Sequence, residues 1–293
     1  MKTDLELFIE EEALKVKNTG VPVKASLIER LLVRRASCKR LHPNPEDEFT
    51  FPDIGPNMEI ISSYVAQFKD NLNKGLPLMD EPLFIQKIRP SGYMLLNGHH
   101  RWAAAMRLGI RRVPVSVVNA VFDGDIRVML EKSTHEKRAT LDLDEVVFAS
   151  PGEEHIEKHN GLFGIGMQKK HLRLGIPALF KHLKVRGYDI WVYSSQFYST
   201  DDLKRYFKHY SVSVDGIITG MKKQTAKSGA RKSIEEMIAN RYSTTLHIDR
   251  DLLLITKSRS NDFREIAIDC RPQEWSGAVI DALDGAEKDE ENK

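Results

Sequence analysis

The chain has 293 residues, 41% of them hydrophobic, with 44 Lys and Arg against 42 Asp and Glu and a formal charge of +2. That length allows two compact cores, and the near balance of charge excludes a global basic footprint for coating a polyanion. No apolar run is long enough to span a membrane, and two cysteines, Cys38 and Cys270, form no disulfide framework, so a reducing cytoplasmic setting is expected, with no membrane partner.

The stretch Asp4 to Leu14 is acidic and amphipathic, unlike a secretory signal. The basic pairs Arg34-Arg35 and Lys39-Arg40 read as solvated faces that could also meet phosphate. Tyr93 to Leu96 is an apolar run and predicts a strand; Asn97-Gly98 predicts a turn. Good helix formers follow from His100 and are stopped by Gly109, and Val113 to Val118 predicts a second strand. A turn feeding a helix N-terminus offers backbone N–H groups and a favourable dipole to an anion. Arg101 could add a bidentate phosphate contact. The plainer alternative is that His99 and His100 are a cap and a packed ring. Residues 120 to 136, with the turn Asp123-Gly-Asp125, read as a linker.

Beyond the linker, strands alternate with helical stretches. Thr140 to Phe148 holds Asp142-Leu-Asp144 where an apolar run is interrupted. Pro177 to Val185 predicts a helix, Tyr188 to Tyr193 a buried strand ending in Ser194-Ser195, and Val212 to Thr219 another strand. A lysine-rich stretch with Lys223 and Lys227 precedes a helix near Lys232 to Arg241, and Leu246 to Leu254 holds Asp249-Arg-Asp251. This alternation means βαβ units and a parallel sheet, whose strand ends build sites. Acid clusters brought to one sheet edge call for a cation, and their oxygen donors suit Mg2+. The charged stretch 284–293 lacks aromatics and is expected to be a disordered acidic tail.

Two resemblances follow from these motifs. The order Asp142, Asp144, Ser194, Lys227 (or Lys223), Asp249 over residues 137–270 resembles the haloacid dehalogenase-like (HAD) phosphohydrolases. That resemblance implies a Rossmann-like parallel sheet with Asp142 as nucleophile and Asp144 as acid and base. Ser194 and a lysine would steady the phosphoryl group. Mg2+ would be held by Asp142, Asp144, Asp249 and Asp251. The stretch Pro151 to His171 is too short for a large cap domain.

Residues 20–119 resemble the ParB/sulfiredoxin superfamily, a smaller α+β domain. Asn97-Gly98-His99-His100-Arg101 falls at its phosphate-handling turn, and the resemblance implies that these five residues bind a nucleotide. His99 replaces the sulfiredoxin cysteine, which argues against sulfinic-acid reduction. The free-serine-kinase branch carries Asp-Gly-His-His-Arg, which differs only at Asn97; Glu46 and Glu48 are candidate upstream acids.

The expectation from sequence is thus an α/β enzyme: a magnesium-dependent phosphohydrolase or phosphotransferase working through an aspartyl-phosphate. Its substrate would be a phosphorylated small molecule or nucleic-acid end. The alternative is a ParB-like nucleotide or nucleic-acid binder with a non-catalytic second half.

Overall fold

The computed structural model describes residues 3–158, 170–220, 229–258 and 262–291. The chain divides into two units, Met1–Asn119 and Ala120–Lys293. Each is a mixed α/β unit with its own six-stranded sheet.

The first unit contains α1 (Asp4–Thr19), β1 (Val21–Pro22), α2 (Leu27–Leu32), β2 (Arg35–Ser37), β3 (Leu41–His42), α3 (Met58–Asn73), β4 (Leu83–Arg89), β5 (Tyr93–Asn97), α4 (His99–Arg107) and β6 (Arg112–Val117). The amphipathic start is therefore a helix, begun by a capping box between Thr3 and Glu6. The sheet runs β2-β6-β4-β5-β3, with β1 paired to β4. β4 and β5 pair antiparallel, while β4 and β6 pair parallel. Helix α4 carries Trp102 and three alanines, Ala103 to Ala105, all with no exposed surface. Small side chains let a helix sit close to its neighbours, and burial all round marks it as a core element. The Trp102 indole N–H is satisfied by the Cys38 carbonyl at 3.2 Å.

The second unit contains α5 (Asp123–Lys132), β7 (Lys137–Asp142), α6 (Ile176–Val185), β8 (Tyr188–Ser194), α7 (Thr200–His209), β9 (Gly216–Thr219), α8 (Gly229–Arg241), β10 (Thr244–Ile248), β11 (Leu252–Lys257), β12 (Phe263–Ala267) and α9 (Trp275–Glu291). The sheet order is β12-β11-β10-β7-β8-β9. β10, β7, β8 and β9 are parallel, and β11 and β12 extend the sheet antiparallel. The parallel sheet expected from sequence is thus present as four strands, in a sheet that is mixed overall. Ala139, Leu141, Ile190, Val192, Leu246 and Ile248 share one large core with α6 and α9. Trp191 lies in a smaller cluster with Ile126 and Leu130 of α5 and with Ile238 and Tyr242. That alternation is the period-2 signature of strands covered on both faces.

Three stretches differ from expectation. Residues 120–136 are not a bare linker, because they form α5, whose Ile126 and Leu130 are buried. The strand predicted over Val212 to Thr219 begins only at Gly216. Ser211 has φ +56°, and the Asp215 carboxylate accepts from the Ile190 amide at 2.6 Å, so this stretch turns before it joins the sheet. Finally, the expected disordered tail is helical as far as Glu291. Its acids Asp284 and Glu287 are partnered: Asp284 meets His182 at 2.8 Å and Arg186 at 2.7 Å, and Glu287 meets Lys137 at 3.2 Å and also Arg186. Composition reads a charged run as solvated; only the fold shows that it lies along basic neighbours.

Candidate functional site

In the first unit, β5 delivers Asn97, opposite Phe84 of β4, to a turn of one residue. Gly98 then starts α4 in the left-handed region, φ +90° and ψ +26°, and no side chain caps the helix. A Cβ at Gly98 would lie 2.5 Å from Leu83 Cδ2 and 3.1 Å from the Arg101 guanidinium, so glycine is required by conformation and by space. The turn therefore presents helix N-terminal amides without a side-chain oxygen over them, which is the arrangement that takes up anions.

The three residues that follow are held firmly. Arg101 is buried, and its guanidinium donates to the Glu81 carbonyl at 2.6 Å, with the Glu81 carboxylate at 3.9 Å. His99 is 3% exposed, and its Nε2 accepts the Asn44 amide at 3.2 Å. His100 Nε2 accepts the Asn57 amide, also at 3.2 Å. Phe49 packs against both rings, with centroids 5.3 Å and 4.9 Å away. The loop from 43 to 57, which carries Glu46, Asp47 and Glu48, is thus fastened to the start of α4. Asp47 Oδ2 lies 3.7 Å from His99 Nδ1. Sequence reading named Glu46 and Glu48 but missed Asp47, Phe49, Asn44 and Asn57. No local pattern links residues so far apart, and nothing local singles out any of the acids at 46 to 48.

In the second unit the chain leaves β7 for β8 and β9 on one side, then returns to place β10 on the other. The carboxyl ends of β7 and β10 are therefore the switch point of the sheet, where open α/β sheets form crevices. Register pairs Ile248 with Leu141 and Tyr193 with Asp142, so Asp249 follows β10 where Asp142 ends β7. Asp142 caps a short π-helical turn, Leu143–Val147, accepting the amides of Asp144 at 2.7 Å and Glu145 at 2.9 Å. Asp144 is enclosed by Ser194 Oγ and Tyr198 OH, each at 2.5 Å, and by Lys170 Nζ at 2.9 Å. Burial opposes its charge, but those three donors outweigh burial and hold its pKa below the ordinary carboxylate value.

Tyr193 is pushed the other way, first by burial and then by the negative charge of Asp142, Asp249 and Glu145. The Arg250 guanidinium donates to the Glu145 carbonyl at 2.5 Å and to Ser150 Oγ at 2.7 Å. The Asp249 carboxylate accepts the Arg250 amide at 2.7 Å, and the Asp251 carbonyl accepts the Ile268 amide at 2.8 Å. Lys170 and Tyr198 had no sequence signal as neighbours of these acids, and Arg250, which sequence reading took for a packing or surface residue, instead ties the loop after β10 to Glu145 and Ser150. Lys223 and Lys227 lie outside the described residues. Among the described residues, no group of three or more His, Cys, Asp or Glu is placed to hold a metal ion.

The ParB N-terminal domain model matches residues 73–134, which include the whole Asn97–Arg101 turn. The ADP-dependent L-serine kinase SerK of Thermococcus kodakarensis is 26% identical over 90 residues, 29% of this chain and 36% of the kinase. The chain thus spans about a third of the length of that curated relative. A variant of free serine kinase in complex with ADP is similar at 12% identity, covering 82% of this chain and 92% of that chain, with a TM-score of 0.24. Free serine kinase in complex with AMP gives 14% identity, the same coverage and a TM-score of 0.22. Scores this low define no shared overall architecture.

The match to the ADP-dependent L-serine kinase overturns the expectation of a magnesium-dependent phosphohydrolase that works through an aspartyl-phosphate on Asp142: that curated relative is a kinase, not a HAD-like phosphohydrolase. It gives no better footing to the alternative, a binder with an inert second half. The misleading signal has a physical origin. Asp-X-Asp at a strand end serves equally well to cap a following turn and to fix neighbouring hydroxyls, and Asp142 and Asp144 are engaged in those contacts.

Proposed function

We propose that the first unit binds a nucleoside diphosphate at the Asn97–Arg101 turn, and that the protein is a nucleotide-dependent phosphotransferase. The acceptor class is a small hydroxyl compound such as L-serine. The observation that carries this reading is the uncapped start of α4 on a left-handed Gly98, inside the stretch matched by the ParB N-terminal model. The resemblance of Asn97-Gly-His-His-Arg to the serine-kinase motif and the match to the ADP-dependent L-serine kinase support it.

Phosphoryl transfer needs positioning and charge stabilisation more than covalent chemistry from the protein. The α4 amides would face the phosphate oxygens. Arg101 braces the turn through Glu81 and brings positive charge to it. The loop 43–57 would wall the site. We also propose that the crevice at the ends of β7 and β10, around Asp142, Asp144, Ser194, Asp249 and Asp251, is a second polar binding locus; the reversal of strand order there supports this.

Calorimetric titration of the full chain with ADP, AMP, ATP and CTP tests the first proposal. Saturable binding of ADP is expected. Arg101→Ala should weaken it by roughly 1.5–3 kcal/mol, the scale of a hydrogen bond to a charged group. Gly98→Val should do worse, because it fills the turn. A folded chain that binds none of the four would overturn the reading.

A further inference from the structure

We propose that His99 and His100 are positioning residues that form a two-point latch, closing the loop 43–57 onto the phosphate turn. Neighbouring residues on a helix point about 100° apart, so adjacent rings can reach different places. Here they reach the two ends of one loop: His99 takes the amide of Asn44, and His100 takes the amide of Asn57. Asn57 in turn caps α3, accepting the amides of Glu59 at 3.0 Å and Ile60 at 3.1 Å. Phe49, between those ends, sits edge-on to His100 and tilted on His99. The loop is stiffened from within, since Thr50 Oγ1 donates to the carbonyls of Asn44 at 3.0 Å and Asp47 at 2.8 Å.

The chemistry of the latch follows from its partners. A backbone N–H only donates, so each Nε2 must present a lone pair. Both rings are therefore assigned, from those amides, as Nδ1-protonated tautomers. Asp47 beside His99 Nδ1 favours a proton at that nitrogen. With Nε2 committed to the loop, the two rings orient the wall of the site and leave phosphate binding to the helix amides. A loop fastened in advance lowers the ordering cost of binding.

The consequence for affinity rests on the nucleotide reading above; the latch itself does not. The test compares the full-length wild type with His100→Phe and His100→Gln, using amide hydrogen exchange without nucleotide and titration with ADP. His100→Phe keeps a ring against Phe49 but removes the acceptor. It should speed exchange across residues 44–57 by roughly tenfold, the scale of one lost hydrogen bond, and weaken ADP binding by a similar factor. His100→Gln restores an acceptor and should recover both. Nitrogen NMR of the wild type should show unprotonated Nε2 on both rings, which needs no variant to fold.

Unchanged loop exchange in His100→Phe, no recovery in His100→Gln, or protonated Nε2 would overturn the latch. Wild type that binds no ADP, yet shows the exchange pattern and the tautomers, would sink the nucleotide reading and leave the latch standing.

Discussion

Gly98 is the residue on which the first site turns. At φ +90°, with Leu83 where a Cβ would go, Gly98→Ala should cost about 1–3 kcal/mol in urea unfolding. An Ala variant as stable as wild type would mean that the turn has another conformation. Asp144 makes a prediction about pH. Its folded pKa is depressed, so the stability it contributes is fully present above the ordinary carboxylate value and is lost as pH falls through the folded value. Asp144→Asn should therefore flatten the acid limb of the urea midpoint measured from neutral pH down to about 2. The same acid limb in both proteins would show that the three donors do not favour the ionised form. Tyr193 reports on the switch-point crevice. Asp142→Asn or Asp249→Asn should lower its raised phenol pKa toward the ordinary value in an ultraviolet titration, with burial keeping part of the shift. No change would place those acids away from the ring.

Elements were legible where their signal was local. The strand at Tyr93, the turn at Gly98, the helix that follows and the strand near Val113 are each written in a few consecutive residues, and the structure has all four. The strand read over Tyr188 to Tyr193 and the helix read over Pro177 to Val185 were legible for the same reason, each lying within one residue of its place in the structure. The exceptions share one cause, which is tertiary partnership. Val212 is apolar and buried, but the Asp215 side chain bonds to β8, so the strand starts late. The part of α9 from Asp284 onward looked like a disordered tail because its partners lie elsewhere in the chain. Glu287 gathers Lys137, Arg186 and the Tyr188 hydroxyl. Glu287→Ala should cost about 1 kcal/mol, since both cations keep partial access to water. Truncation before Asp284 should cost more, because it also removes buried Ala286. Equal stability of the truncated chain, measured by thermal unfolding, would return this stretch to a tail.

At the scale of the whole molecule, two α/β units stand in one chain, and sequence motifs spoke unequally for them. The turn in the first unit is a contiguous pentapeptide, and comparison with known proteins falls on the same stretch. The acids of the second unit are dispersed over the chain, and strand-end acids cap turns as readily as they do chemistry; the pattern outran its meaning there. The central claim is that nucleotide binds at the start of α4. Amide hydrogen exchange of the full chain with and without saturating ADP tests it most directly. The account predicts slowed exchange at the amides of His99, His100 and Arg101. Binding of ADP that leaves those three amides unprotected would contradict it.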